Sequence, residues 1–330
     1  MSRIAVLGAG AWGTALAISL ARRGGHEITL WSHSPALAET MAETGRNVTY
    51  LPSAALPGSI QVTAELPVAI FEADILLCVT PSQHLRGVIS HIAPLLTRNQ
   101  IILSASKGLE DGSFLRMSQV IASVTNNPVG VLSGPSFAQE VAIGSPTAIV
   151  AAADDGVLAQ TIQREFTSPS LRVYTNDDVA GVELGGALKN VIALAAGIVH
   201  GLELGNNSAA ALITRGIAEI TRLSVACGGR RQTLAGLSGV GDLVLTCTGS
   251  LSRNRTVGVE LGKGRKLPEI LAGMNGKVAE GVRCTTAALG LAARYGVEMP
   301  ITEQMAAILH HGKTPKDAIR ELMTRPGRDE

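Results

Sequence analysis

"RIAVLGAGAWGTALAISLARRGG", residues 3 to 25, decides how the rest of the chain is read. After Arg3, residues 4 to 7 are apolar and β-branched enough for a strand, and the segment from Gly13 to Arg23 has helical periodicity, ending at Gly24 and Gly25. Between them Gly8, Gly10 and Gly13 stand in the spacing GxGxxG. A strand, a glycine turn and a helix in that order make a dinucleotide-binding fingerprint. The first glycine permits a tight turn, the second lets a pyrophosphate approach the backbone, and the third allows close helix–strand packing. The unpaired N–H groups at the helix start then face the phosphates.

Working outward, "EITLW" (27 to 31) reads as a second strand, and further strands are expected at "ADILLCVT", "QIILSAS", "VGVLSG" and "TAIVAAA". These runs are apolar almost throughout, the pattern of parallel strands covered on both faces. Residues 1 to 180 are therefore expected to form an α/β domain of Rossmann type. Beyond "LRVYTNDDVAG" strand patterns nearly vanish, and residues 181 to 330 are expected to form a mostly helical domain. Helices are predicted from Ala209 to Cys227, over "TTAALGLAARYG" and "TEQMAAILHHG", and after a Thr314 cap with Pro315 in the first turn.

The 330 residues are 46% hydrophobic and 17% charged, which excludes a disordered chain. A net charge of +1 gives no footprint for nucleic acid or an anionic membrane surface. Cys78, Cys227, Cys247 and Cys284 form no CxxC pair, so reduced thiols are expected and a metal site is not. The N-terminal residues read as a strand rather than a signal peptide. No apolar stretch looks long and clean enough to span a bilayer, and a cytoplasmic protein is expected.

Several residues are candidates for chemistry. The end of the second strand reads "LWSHS", without the acid that holds ribose hydroxyls in NAD-specific sites; His33 stands there instead, which leaves room for NADP without excluding NAD. Lys107 follows one strand in "SASKGLE", and Gly134 and Ser136 follow another in "LSGPSFAQE". Ligands of open α/β sheets bind beyond such strand ends. Lys189 lies in the nearly uncharged "VELGGALKNVIALAAGIVHG" (182 to 201), either snorkelling to water or serving as a catalytic ammonium. Asp242 follows in "GVGDLVLTCTGSLSRNRTVG", and after it Ser252, Arg253, Asn254 and Arg255, a Ser-Arg-Asn-Arg cluster suited to a phosphate or to an exposed basic loop.

Taken together, "GAGAWGTALA", "YLP", "SASKGLE", "LSGPSFAQE", "ELGGALKNVIALAAG", "GLSGVGDLVLTCTGSLSRNRTVG" and "VAEGVRC" resemble, in order and spacing, the bacterial NAD(P)-dependent glycerol-3-phosphate dehydrogenases. The resemblance covers nearly the whole chain. It implies reversible reduction of dihydroxyacetone phosphate to sn-glycerol 3-phosphate by a soluble enzyme, a possible homodimer, that supplies phospholipid synthesis. By that pattern Lys189 is the proton donor or acceptor. Lys107, Gly134, Ser136, Asp242, Ser252, Arg253 and Asn254 line the substrate site. Besides the three glycines, Trp12, His33, Lys107, Ala138, Arg253, Val278 and Glu280 contact the dinucleotide. Apolar neighbours and a second ammonium, Lys107, are expected to lower the Lys189 pKa. Asp242 either orients a substrate hydroxyl or Lys189 itself, and Asn190 faces away from the task. A β-hydroxyacid dehydrogenase shares this domain plan and the use of a lysine; a non-catalytic nucleotide sensor would leave Lys189 and the Ser-Arg-Asn-Arg cluster without a use.

Overall fold

A computed structural model describes residues 1–274 and 279–327. Among the described residues ten strands occur: β1 Ser2–Leu7, β2 His26–Trp31, β3 Arg46–Asn47, β4 Leu51–Ala55, β5 Ile60–Thr63, β6 Ile75–Cys78, β7 Ile101–Ser104, β8 Val129–Ser133, β9 Thr147–Ala152 and β10 Leu171–Asn176. Eight form one sheet in the order β10-β9-β8-β7-β6-β1-β2-β5, while β3 and β4 pair separately. The helices that accompany them are α1 Ala11–Arg23, α2 Pro35–Thr44, α3 Leu66–Ile70, α4 Leu85–Ile92, α5 Met117–Ala122, α6 Ala138–Ile143 and α7 Gly156–Phe166. The chain leaves β1 in one direction toward β2 and later returns on its other side as β6, which makes the end of β1 a topological switch point.

Successive residues of a strand face opposite ways, and both faces of this sheet are covered. Ile4, Val6, Ile75 and Leu77 pack in one cluster with Leu16, Ile18 and Leu20 of α1. Their neighbours Ala5, Leu7, Leu76 and Cys78 pack in another with Leu85 and Ile89 of α4 and Val120 of α5. Hence the continuous apolar runs. Parallel pairing holds from β5 to β8, but β9 runs antiparallel to β8 and carries β10 with it. The expectation of parallel direction for "TAIVAAA" is corrected here: burial on both faces makes a strand apolar whichever way it runs, so its composition does not report direction.

The chain divides into two compact units, one of Met1–Glu110 with Leu115–Glu183, the other of Asp111–Phe114 with Leu184–Glu330. The second is helical: α8 Val179–Gly201, whose first residues belong to the first unit, α9 Gly205–Ala226, α10 Arg231–Leu234, a π-helical turn at Leu237–Gly241, α11 Asp242–Thr248, α12 Arg253–Gly262, α13 Leu267–Ala272, α14 Glu280–Tyr295, α15 Pro300–His311 and α16 Pro315–Met323. Gly296 and Gly312 end α14 and α15 in the left-handed conformation, and the Thr314 hydroxyl accepts from Asp317 N to cap α16. By length and apolarity α8 does meet the requirement for a membrane span, contrary to the sequence expectation, but it is buried within the protein. An apolar surface all round a helix has the same origin in either solvent.

Candidate active site

In the first unit the three glycines divide their roles by space. Gly8 has φ 132°, and a Cβ there would lie 2.7 Å from the Val79 carbonyl oxygen. A Cβ on Gly13 would collide with the Gly8 carbonyl, whereas one on Gly10 would meet nothing within 4 Å. The turn is thus tight beneath and open where Gly10 begins α1, and no acid occupies the first turn of that helix. A pyrophosphate fits such a cradle. Asn47 clamps the turn from β3: its fully buried side-chain nitrogen donates to the Ala9 carbonyl at 2.8 Å and to the Thr14 hydroxyl at 2.8 Å. Sequence reading missed it, because no local pattern marks a distant asparagine. Trp12 packs on the core with its indole Nε1 buried and without a hydrogen-bond partner among the described residues. His33 is exposed beyond β2, its ring 6.0 Å from that of Trp31.

Beyond β7 and β8, three predicted residues converge. Lys107 Nζ donates to the Gly134 carbonyl at 2.9 Å, and the Ser136 hydroxyl donates to the same oxygen at 3.0 Å. Gly134 has φ 127°, and a Cβ there would lie 3.1 Å from Ile149 Cα. Ala138 opens α6 two residues after Ser136.

In the second unit Lys189 is 7% exposed and is held by two partners from α11. Its Nζ donates to the Asp242 carboxylate and, at 2.9 Å, to the Thr246 hydroxyl. Thr246 in turn donates to the Asp242 main-chain carbonyl at 2.6 Å, which turns its lone pairs toward the lysine. Gly185, one turn before Lys189 on α8, makes the approach possible: a Cβ there would lie 2.5 Å from the Ser238 carbonyl in the π-helical turn that leads into Asp242. The lysine is therefore not in the purely apolar surroundings expected from its sequence. A buried ammonium needs compensation, and a carboxylate on another helix supplies it. Of the two partners considered for Asp242, Lys189 is one it contacts.

The predicted phosphate cluster opens α12. Ser252 caps that helix by accepting from Arg255 N at 3.2 Å. Asn254 is buried, donating to the Asn190 side-chain oxygen at 3.0 Å and accepting from Gly281 N at 3.0 Å. Asn190, set aside at the sequence level, thus belongs to this network. Arg253 retains exposure, yet surrounding protein desolvates its guanidinium enough to pull its pKa below the ordinary value, while the Glu280 carboxylate at the start of α14 opposes the fall. Val278 lies outside the described residues. Among the described residues, no group of three His, Cys, Asp or Glu side chains could hold a metal ion.

The dinucleotide cradle at a sheet switch point in the first unit and the buried, bonded lysine of the second are features that nicotinamide-dependent dehydrogenases carry. Two family profiles match the chain: NAD-dependent glycerol-3-phosphate dehydrogenase N-terminus over residues 3–159 and the corresponding C-terminus over 178–320. Among curated relatives, a glycerol-3-phosphate dehydrogenase [NAD(P)+] of Koribacter versatilis is 60% identical, covering 100% of this chain and 99% of its own. That of Geobacter sulfurreducens is 53% identical, covering 98% and 97%. The crystal structure of glycerol-3-phosphate dehydrogenase from Coxiella burnetii is similar with a TM-score of 0.94 at 41% identity, covering 98% and 99%. The chain belongs to the NAD-dependent glycerol-3-phosphate dehydrogenase family.

Proposed function

We propose that the protein reduces dihydroxyacetone phosphate to sn-glycerol 3-phosphate with NAD(P)H, reversibly. The carrying observation is Lys189, buried and held by Asp242 and Thr246 in the helical unit. When bound, the reduced nicotinamide supplies a hydride to C2 of the substrate. Lys189 Nζ gives a proton to the carbonyl oxygen as negative charge grows there, and takes it back from the hydroxyl in the reverse direction. Asp242 and Thr246 hold that nitrogen in place through the reaction. Arg253 and Asn254 grip the substrate phosphate; Asn254 Nδ2 gives one hydrogen to Asn190 and keeps its second for a ligand. Lys107, Gly134 and Ser136 meet the substrate from the strand ends.

Gly8, Gly10 and Gly13 receive the dinucleotide, with Trp12, His33 and Ala138 around it. We read the site as accepting NADP as well as NAD, because β2 ends at Trp31 and is followed by Ser32 and His33, without an acid to repel a 2′-phosphate. We also read the protein as a cytoplasmic supplier of glycerol phosphate to phospholipid synthesis, a reading that rests on the resemblance to its family. The test is spectrophotometric: dihydroxyacetone phosphate should drive oxidation of both NADH and NADPH, whereas small 3-oxo acids should not. Turnover of the acids in place of the phosphate ester overturns the proposal.

A further inference from the structure

Two helices of the second unit, α8 and α12, approach each other closely at four glycines over two turns. A Cβ on Gly197 would collide with the Arg255 carbonyl and lie 2.8 Å from Gly258 Cα; one on Gly258 would collide with the Leu194 carbonyl and lie 2.9 Å from Gly197 Cα. One turn on, a Cβ on Gly201 would collide with the Val259 carbonyl, and one on Gly262 would lie 2.7 Å from the Ile198 carbonyl. Backbone therefore rests on backbone. Elsewhere α8 uses alanine for close packing, at Ala187, Ala193 and Ala196, and alanine is the better helix former. Glycine here answers a demand for a shorter interhelical distance than alanine permits.

The same seam runs on to the functional side chains. Asn190 lies seven residues before Gly197, about 20° from eclipsed on an ideal helix, and Asn254 lies one turn before Gly258. Their side chains are short, and they bond directly at 3.0 Å. That contact needs the helices already close. A third element closes on the same point, since a Cβ on Gly281 of α14 would lie 2.5 Å from the Asn190 carbonyl oxygen.

We infer that Gly197, Gly201, Gly258 and Gly262 are positioning residues: their two backbone contacts set the distance from Lys189 on α8 to Arg253 and Asn254 at the start of α12. Three covalent bonds separate phosphorus from the carbonyl carbon in dihydroxyacetone phosphate, so the groups that meet its two ends must keep a fixed span. A wedge between the helices lengthens that span, and the phosphate is lost before the proton donor is. The inference rests on the reading that Arg253 and Asn254 hold the phosphate.

The experiment uses full-length Gly258→Ala and Gly262→Ala with Arg253→Ala as reference. It measures kcat and KM for dihydroxyacetone phosphate, kcat/KM for unphosphorylated dihydroxyacetone, and Tm. Gly258→Ala should raise KM for the phosphate ester about tenfold or more. Its kcat/KM for unphosphorylated dihydroxyacetone should stay within about twofold of the wild type, since that substrate has no phosphate to be gripped. Gly262→Ala, further from Asn254, should show a smaller rise in KM, and it carries the test if Gly258→Ala does not fold. If Arg253→Ala raises KM while the glycine variants only lower Tm, or lose activity equally toward both substrates, the positioning role is overturned. If Arg253→Ala leaves KM unchanged, the phosphate reading itself fails and the inference falls with it.

Discussion

Lys189 and Asp242 lie 53 residues apart in sequence and meet as a buried ion pair, with side chains 8% and 1% exposed. Each alone would be a costly buried charge; together, with Thr246, they are compensated. Asp242→Ala should therefore cost roughly 3–5 kcal/mol of stability. Thr246→Val, which removes one hydrogen bond to a charged group, should cost roughly 1.5–3 kcal/mol. Replacing both charges, Lys189→Met with Asp242→Leu, should restore most of the stability and none of the activity. Urea denaturation measures the first two effects and the double-variant recovery. A double variant no more stable than Asp242→Ala would contradict the account of the pair.

Arg253 is exposed enough to meet a ligand and desolvated enough to gain from an anion. Arg253→Lys keeps the charge but loses the planar fork. Its KM for dihydroxyacetone phosphate should lie between those of the wild type and Arg253→Ala, with kcat less affected than KM. Steady-state kinetics at fixed NADH provides the comparison; equal KM values for all three proteins would remove Arg253 from the substrate site.

Glu219 is buried on α9, accepting from Ile301 N, Thr302 N and the Thr302 hydroxyl at the start of α15. Burial raises its carboxyl above the ordinary range, although these hydrogen bonds and the Arg222 charge work against the rise. The unfolded chain then ionises first, near the ordinary ~4.3, and the folded state holds the extra proton until its own higher pKa. The contribution to stability is complete below the ordinary value and is lost as pH rises through the folded one. Glu219→Gln should lack this decline, so the advantage of the wild type over the variant should shrink as pH rises from ~4. A difference that does not vary with pH would count against it.

Cys78, Cys247 and Cys284 are buried, and burial pushes each thiol up to about 12, whereas Cys227 is only half-buried at the end of α9. Iodoacetamide should label Cys227 alone in the native protein, since thiolate and access are both needed. Peptide mass mapping before and after unfolding decides it. Rapid native labelling of Cys247, beside Lys189 and Asp242, would show that pocket more open than described.

Much of this was legible in the sequence because it rests on local rules. The glycine spacing, the strand before it and the helix after it are contiguous, and "LSGPS" and "SASKG" end strands whose apolar character is plain. Edge strands were harder: β5 has four residues, and β10 alternates buried and exposed positions with Tyr174 and Arg172 on its open side. The partners of the site were not legible. Asn47 reaching the Ala9 carbonyl, Thr246 reaching Lys189, and Asn254 reaching Asn190 are contacts between distant segments, and no periodicity encodes them. The lysine's apolar flanks suggested a dry pocket, but apolar residues around a helix report burial only. What neutralises a charge within that burial comes from another helix.

The central claim is that Lys189 moves the proton. Lys189→Ala should lower kcat for reduction of dihydroxyacetone phosphate by about 10²–10⁴ or more, as expected when a general acid is removed. NADH binding, followed by quenching of fluorescence, should remain within about threefold of the wild type. Near-normal turnover in a folded, NADH-binding Lys189→Ala protein would contradict the account.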